Sequence, residues 1–219
     1  MTRRSWLAAA LALGLIGVPI AHAKPLRAVS VVKLTDARIV LHPARHRLRD
    51  GGLSGYTLVE PRPHVVADTY TVDPGVAWAT TSAGKIEAWT IDGYLLHALR
   101  FFKGIAEGEP MVAGGADADR RPRFRAAMSP TETVEFIVES LYGGRLTAKN
   151  VRPAPFGGAS GFRFELSYVT RDGVTREALV AGAIVKDRLH AIVYDGTALH
   201  HFGKYRPDAE RVIDSVRLK

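Results

Sequence analysis

The chain has 219 residues, 47% of them hydrophobic and 24% charged, a composition typical of a globular protein that excludes a disordered or fibrous one. Its 30 lysines and arginines outnumber 22 aspartates and glutamates, so the formal net charge is +8. The absence of cysteine excludes a disulfide framework, a thiolate metal site, a cysteine nucleophile and a lipid anchor on an N-terminal cysteine.

Residues 1–23 have the pattern of a cleavable signal peptide. Arg3 and Arg4 form a short basic start, an apolar run extends from Trp6 to Ile20, and Ala21-His22-Ala23 matches the small-x-small cleavage pattern. This run is shorter than the about 20 apolar residues that cross a bilayer. The arginine pair also fits a twin-arginine export signal, but the short basic start and the apolar run favour general secretion. We therefore predict export to the periplasm.

The remaining residues, 24–219, are predicted to form one domain that is not a lipoprotein. A chain of this length can bury a full core without disulfides. It has no further apolar run of membrane-spanning length, so we expect a soluble protein with no transmembrane segment after signal removal. Residues 24–36 have weak periodicity and are predicted to be a loose N-terminal arm. A first strand at 38–41 and a long irregular region through Pro63 follow.

Short apolar runs predict three strands in the next part of the chain, at 76–79, 86–90 and 95–105. Asp92-Gly93 is a residue pair that accepts the positive φ angles of a tight turn between the second and third strands. The third run also fits helical spacing, and the strand is the assignment that we adopt. Residues 113–123 are predicted to be an exposed connection.

The clearest helix signal in the sequence begins at Ser129. Ser129 and Glu132 form a capping box, and Pro130 suits the first turn. Apolar residues then recur at i, i+3, i+4 and i+7, and Gly143-Gly144 is predicted to end the helix. Phe136 lies on the opposite face of this helix, where its ring needs cover from a loop or a partner.

The second half predicts a three-stranded meander followed by a helix. Alternation at 162–168 indicates a strand with one wet face, and the continuous apolar run at 178–185 indicates a strand buried on both faces. A third strand is predicted at 189–194, and a last helix begins at Pro207. This order of elements predicts an α+β fold, an antiparallel sheet packed against two or more α-helices.

Residues spread over about 76–218 resemble an uncharacterised family of exported bacterial envelope proteins. The residues that carry the resemblance are Trp89-Thr90-Ile91-Asp92-Gly93, Leu96, Leu99, Gly104-Ile105, Gly108, Pro122-x-Phe124, Met128-Ser129-Pro130, Gly161-x-x-Phe164 and Ile213-x-Ser215. The resemblance implies an exported protein of unknown activity. Many such proteins are lipoproteins, and the absence of cysteine departs from that pattern.

The element order of the second half also resembles the PsbP-like fold of photosystem II proteins and of a nuclear Ran-release factor. That resemblance implies an antiparallel sheet layered between helices, in proteins that bind partners and are not enzymes.

Motifs for catalysis and for cofactors are weak in this sequence. Gly158-Ala159-Ser160-Gly161 begins like a nucleophile elbow, but Phe162 replaces the second glycine that the sharp turn needs. His42 and His46 have helical spacing, yet Pro43 disfavours a helix there, and His200-His201 would point to opposite sides of a strand. No phosphate-binding glycine motif occurs. We predict no cofactor, no metal site and no catalytic residue.

Arg120, Arg121 and Arg123 flank Phe124 and form the predicted contact surface, together with Phe136. Such a basic surface attracts anions. Because export removes the chain from nucleic acid, we expect the partner to be an envelope protein or an anionic envelope component. The leading hypothesis is a non-enzymatic binding or accessory protein of the cell envelope.

Two alternatives stay open. One is an envelope hydrolase with His190, His200 or His201 beside a nearby carboxylate such as Asp187 or Asp195, which requires a histidine nitrogen within about 3 Å of a carboxylate oxygen in a cleft. The other is a structural subunit of an envelope assembly.

Overall fold

The structure, a computed structural model, describes residues 57–66, 68–83, 86–113, 118–143 and 146–219. The predicted signal peptide, the N-terminal arm, the strand at 38–41 and the candidate ligands His42 and His46 lie outside these residues. The strands are β1 (Thr57–Val59), β2 (His64–Val66), β3 (Tyr70–Val72), β4 (Trp78–Ala83), β5 (Ile86–Thr90), β6 (His97–Ile105), β7 (Lys149–Phe156), β8 (Ala159–Val169), β9 (Thr175–Val185), β10 (Arg188–Thr197) and β11 (Arg217–Leu218). The α-helices are α1 (Pro130–Tyr142) and α2 (His201–Asp214), and Ala118–Arg120 form one turn of 3-10 helix.

Eight strands form one antiparallel sheet in the order β1-β4-β5-β6-β10-β9-β8-β7. Strands β7 to β10 are a meander, because each pairs with its neighbour in sequence. Strand β6 then pairs with β10 and joins the two halves of the chain. A second, smaller sheet has the order β11-β3-β2 and brings the C-terminus against Tyr70 and Thr71. The predicted α+β class, with an antiparallel sheet and two helices, is confirmed.

Alternating side chains on β9 and β10 divide the core into two clusters, one on each face of the large sheet. Ala178 and Val180 pack with α1 residues such as Ile137. The alternate residues of the same strand, Leu179 and Ala181, pack with α2 and with the small sheet. The continuous apolar run predicted for a strand buried on both faces is thereby confirmed. We call these faces the α1 face and the α2 face.

The capping and glycine signals in the sequence predicted the start and the end of α1 correctly. The side chain of Ser129 accepts the backbone N–H of Glu132, and the Glu132 carboxylate accepts the backbone N–H of Ser129, which is the predicted capping box. Gly143 ends the helix in the left-handed conformation, with φ of 76°. Phe136 is buried against Phe124, with 5.9 Å between the ring centroids, so a loop of the same chain covers it.

The prediction that the last helix begins at Pro207 was wrong, because α2 begins at His201 and contains Pro207 in its interior. Phe202 and Tyr205 extend the buried stripe of this helix from Ala209 towards the N-terminus by about two turns. An interior proline costs about 3 kcal/mol, and burial of two aromatic side chains offsets that cost. Pro207 itself is exposed, so its ring points away from the sheet.

Several strands had no clear signal in the sequence. Strands β1 to β3 are three residues long, too short to show alternation, and β1 lies in the region predicted to be irregular. Strand β7 contains Pro153 and Pro155, which is possible because β7 is an edge strand. No helix in the described ranges is long and apolar enough to cross a membrane.

Candidate functional site

Three connections meet at one end of the large sheet: the β5–β6 loop, the β8–β9 turn and the β10–α2 loop. The backbone N–H of Thr197 donates to Leu96 O, and that of Ala198 donates to Thr175 O, at 3.0 Å each. These bonds join the three connections directly. Large apolar side chains project from them into solvent, including Leu95 (89% exposed) and Leu199 (98% exposed). We call Leu95, Leu96 and Leu199 the leucine tip.

A buried carboxylate anchors this end of the sheet on the α1 face. Asp195 on β10 lies directly opposite Ala178 on β9 and Ala98 on β6. Because both neighbours are small, longer side chains at the diagonal positions have room to reach over them. Those side chains are Arg176, two residues before Ala178 on β9, and Arg100, two residues after Ala98 on β6.

Both arginines bind the same carboxylate. Arg100 Nη2 lies 2.8 Å from Asp195 Oδ1, and Arg176 donates to Oδ2 from Nε at 3.2 Å and from Nη2 at 3.1 Å. The hydroxyl of Tyr168 donates to Oδ2 at 2.7 Å. Burial first, and then the negative charge of Asp195, raises the pKa of Tyr168 to about 12. Tyr142, at the end of α1, packs on Tyr168 with 4.8 Å between ring centroids. We call these five residues the Asp195 cluster.

The Asp195 cluster holds the leucine tip. Arg176 Nη1 donates to the backbone carbonyl of Leu95 at 2.7 Å. This bond ties the β5–β6 loop to β9 although the two are 81 residues apart in the chain. A hydrogen bond from a charged donor is stronger than a neutral one, so this bond fixes the backbone position of Leu95.

A second polar cluster holds the same loop on the α2 face. His97 is fully buried, and its Nε2 accepts the backbone N–H groups of Ile91 and Asp92 at 3.1 Å each. Accepting both bonds requires an unprotonated Nε2, so the proton of the neutral ring is on Nδ1. Burial is the main reason that the pKa of His97 falls to about 4.

The Asp92 carboxylate connects this loop to α2. Its Oδ2 accepts the hydroxyl of Tyr205 at 2.6 Å and the ammonium of Lys204 at 3.1 Å. Although partial burial opposes the shift, these two hydrogen bonds lower the pKa of Asp92. This group of side chains therefore holds the leucine tip against the helix. We call it the Asp92 cluster; its members are Asp92, His97, His201, Lys204 and Tyr205.

The histidine and carboxylate residues of the hydrolase alternative do not come together in the described structure. The Asp195 carboxylate is ion-paired with two arginines, and His190 Nδ1 accepts the backbone N–H of Gly104 at 3.3 Å. The carboxylate beside His201 is Asp92, at 3.9 Å from Nε2, which exceeds the hydrogen-bond distance that the hypothesis requires. Within the described ranges, no three His, Asp or Glu side chains are grouped closely enough to hold a metal ion.

The predicted arginine surface lies at the other end of β6, around the segment that follows Ile105. Arg121 Nη1 donates to Val112 O at 2.7 Å, and Arg123 Nη1 donates to Gly108 O at 3.0 Å. Arg120 is exposed. Two of the three arginines therefore hold their own loop, and Phe136 is a core residue that a partner cannot reach.

Sequence reasoning did not find either polar cluster or the leucine tip. The members of the Asp195 cluster are spread over residues 100–195, and only strand pairing brings them together. A signal did exist at Leu199, an apolar residue between the predicted third strand of the meander and the last helix. Leu95 gave no such signal, because it fell in the strand predicted at 95–105, whereas β6 begins at His97.

No protein-family model matches the sequence, and no curated protein matches it. Among solved structures, the chain is similar to LpqN of Mycobacterium tuberculosis, which is described as involved in cell envelope biogenesis. That match covers 78% of this chain and 87% of LpqN, with 12% sequence identity and a TM-score of 0.35. At this TM-score the match establishes neither a common fold nor a common function.

Proposed function

We propose that the chain is an exported, periplasmic protein of the cell envelope that binds a partner and catalyses no reaction. The signal-peptide pattern of residues 1–23 supports export. The PsbP-like arrangement, with the sheet layered between helices, is part of this proposal, since members of that fold bind partners.

The observation that carries the proposal is the leucine tip. Leu95 and Leu199 are almost fully exposed, on two separate loops, at one end of the sheet. Fully burying a leucine side chain contributes about 1.5–3 kcal/mol. Single exposed apolar side chains are normal on a protein surface, whereas adjoining ones can form an interaction site. The hydrogen bond from Thr197 N to Leu96 O joins the two loops that carry Leu95 and Leu199.

The loops that carry these leucines are held in place before any partner arrives. Hydrogen bonds from Arg176 to Leu95 O and from Ile91 and Asp92 to His97 fix the β5–β6 loop. Because a preorganised surface loses less conformational entropy on binding, its affinity is higher. We infer that the partner presents an apolar surface to the leucine tip.

The arginines remain a second proposed contact, for an anionic envelope component. Arg120 is the residue best placed for it, since Arg121 and Arg123 already donate to backbone carbonyls.

The test is site-specific photo-crosslinking in intact bacteria. A photoreactive residue replaces Leu95 or Leu199, and Leu58, which is 48% exposed on edge strand β1, is the matched control. We expect crosslinked envelope products from positions 95 and 199 but not from 58. The double variant Leu95→Ser/Leu199→Ser should fold normally and lose retention in the envelope fraction. Equal retention of the double variant contradicts the role of the tip, and an uncleaved chain in the cytosol contradicts export.

A further inference from the structure

The Asp195 cluster holds more positive than negative charge. Arg100 and Arg176 both bind Asp195, and in the described part of the chain neither has an ion pair with a second carboxylate. Two guanidinium groups against one carboxylate leave one positive charge in excess. Buried ionic groups are normally paired, because an unpaired charge away from water is costly.

Two hydrogen-bond donors in the same cluster have no partner among the described residues. They are Nε of Arg100 and the hydroxyl of Tyr142, and both atoms are buried. An arginine Nε can only donate. Burial raises the pKa of the Tyr142 hydroxyl far above its ordinary value, so this group stays protonated and can donate too. A buried polar group without a partner calls for an explanation, such as an absent ligand or ion.

The cluster also has a route to solvent. The side chain of Arg100 is 30% exposed, whereas those of Arg176 and Asp195 are 10% and 7% exposed. Arg100 is therefore the most exposed of the three charged side chains, and Tyr142 and Tyr168 are partly exposed as well. The negative charge of Asp195 more than offsets the effect of burial and raises the pKa of Arg100, so the positive charge is permanent.

We propose that Arg100 and Tyr142 form a binding site for a small oxyanion, a phosphate or carboxylate group, which completes the charge balance of the Asp195 cluster. The oxygens of the anion accept from Arg100 Nε and from the Tyr142 hydroxyl. Arg176, which donates to Leu95 O, connects this site to the leucine tip. The site is separate from the surface of the leucine tip and does not depend on the proposed function.

The structure also offers an internal comparison. Arg163 on β8 has a buried, unpartnered Nε as well, but it forms a one-to-one ion pair with Asp214. Its charge is balanced, so we expect no anion there.

The test is thermal unfolding of the purified chain in sodium phosphate or sodium acetate, against sodium chloride at equal ionic strength. Phosphate and acetate are separate arms that distinguish the two kinds of oxyanion. We expect a saturable rise in the unfolding midpoint of about 5–10 °C at 100 times the dissociation constant in at least one arm. Isothermal titration with the same anion measures the dissociation constant directly.

Three variants localise the effect. Tyr142→Phe removes a hydroxyl that has no internal partner, so it should unfold at the wild-type temperature in chloride and lose at least half of the anion-dependent shift. Arg100→Lys keeps the charge but removes Nε, and it should weaken anion binding about tenfold. Arg163→Lys should leave the shift unchanged. The proposal is wrong if wild type shows no saturable shift in either arm, or if Tyr142→Phe and Arg100→Lys bind the anion as wild type does.

Discussion

The imidazole of His97 stacks on the phenol ring of Tyr205, with 4.4 Å between the ring centroids and 22° between the ring planes. This contact joins β6 to α2, and the hydroxyl of the same tyrosine donates to Asp92 in the loop that precedes β6. One aromatic pair thus fixes a strand, a helix and the loop that carries Leu95. The loop geometry therefore depends on a neutral His97.

We expect folding stability to fall as the pH drops below about 6.5. A histidine has a pKa of about 6.5 when the chain is unfolded, and the buried ring of His97 has a pKa of about 4. Between these values the unfolded chain binds a proton that the folded chain does not, so the free energy of unfolding decreases by up to about 3 kcal/mol from pH 7 to pH 4.

Urea unfolding at pH 7.5, 5.5 and 4.5 measures this dependence. His97→Gln should flatten the curve, although not fully, because burial also lowers the pKa values of His190 and His201. His200→Gln, at an exposed position, is the control and should change the slope much less than His97→Gln, through the effect of His200 on His201 alone. A wild-type slope in His97→Gln would contradict this account.

Removing the central carboxylate of the Asp195 cluster should destabilise the fold strongly. Asp195→Ala leaves two arginines on the α1 face without their counterion, for which we expect a loss of about 3–5 kcal/mol in the free energy of unfolding. Glu60→Ala breaks the ion pair of Glu60 with Arg62, in which both side chains are more than half exposed, and it should cost less than about 1 kcal/mol. Chemical denaturation distinguishes the two, and equal losses would show that Asp195 has no special role.

Gly161 and Gly203 should respond in opposite ways to alanine. A Cβ atom at position 161 would lie 2.3 Å from the carbonyl oxygen of Gly182 on the neighbouring strand, where the backbone cannot move away cheaply. Gly161→Ala should therefore lower stability by about 1–3 kcal/mol. A Cβ at position 203 meets nothing within 4 Å, so Gly203→Ala in α2 should raise stability by about 0.5–1 kcal/mol.

This pair of variants also examines the Gly158–Phe162 segment. If Gly161 serves the close approach of two strands, as the contact with Gly182 indicates, the segment is structural. A stable Gly161→Ala variant would contradict that conclusion. The melting temperatures of both variants, compared with that of wild type, measure these changes in stability.

Loss of the helix cap should destabilise α1 by a modest amount. Ser129→Ala removes the side-chain acceptor for the Glu132 N–H, which costs about 1 kcal/mol. Thr131→Ala, two residues further into the same helix and also exposed, should change stability by less than about 0.5 kcal/mol. Urea midpoints measure both, and no loss in Ser129→Ala would show that the box contributes nothing.

The three predicted arginines should separate into one binding residue and two structural ones. Arg120→Ser should reduce retention on an anionic matrix at low salt without changing stability, because Arg120 is exposed. Arg121→Ser and Arg123→Ser should each lower stability by about 1 kcal/mol, since their donors to Val112 O and Gly108 O are lost. If the matrix retains Arg120→Ser as well as wild type at both low and high salt, then Arg120 does not bind the anionic matrix.

The sequence by itself determined the features that depend on neighbouring residues. The capping box at Ser129 and the alternation of 162–168 were readable because they follow from local backbone geometry and periodicity. Turn chemistry was readable only in part: Gly93 has positive φ, but Asp92 does not, and residues 91–96 form a longer connection between β5 and β6 than the predicted tight turn.

Only the tertiary structure decided where the functional candidates lie. Asp195 meets Arg100 and Arg176 because β10 is placed between β6 and β9, and strand order is not encoded in any local pattern. The early start of α2 depends in the same way on the core that receives Phe202. Burial and charge pairing act between residues that are distant in sequence, and so the clusters that hold the leucine tip appear only once the chain is folded.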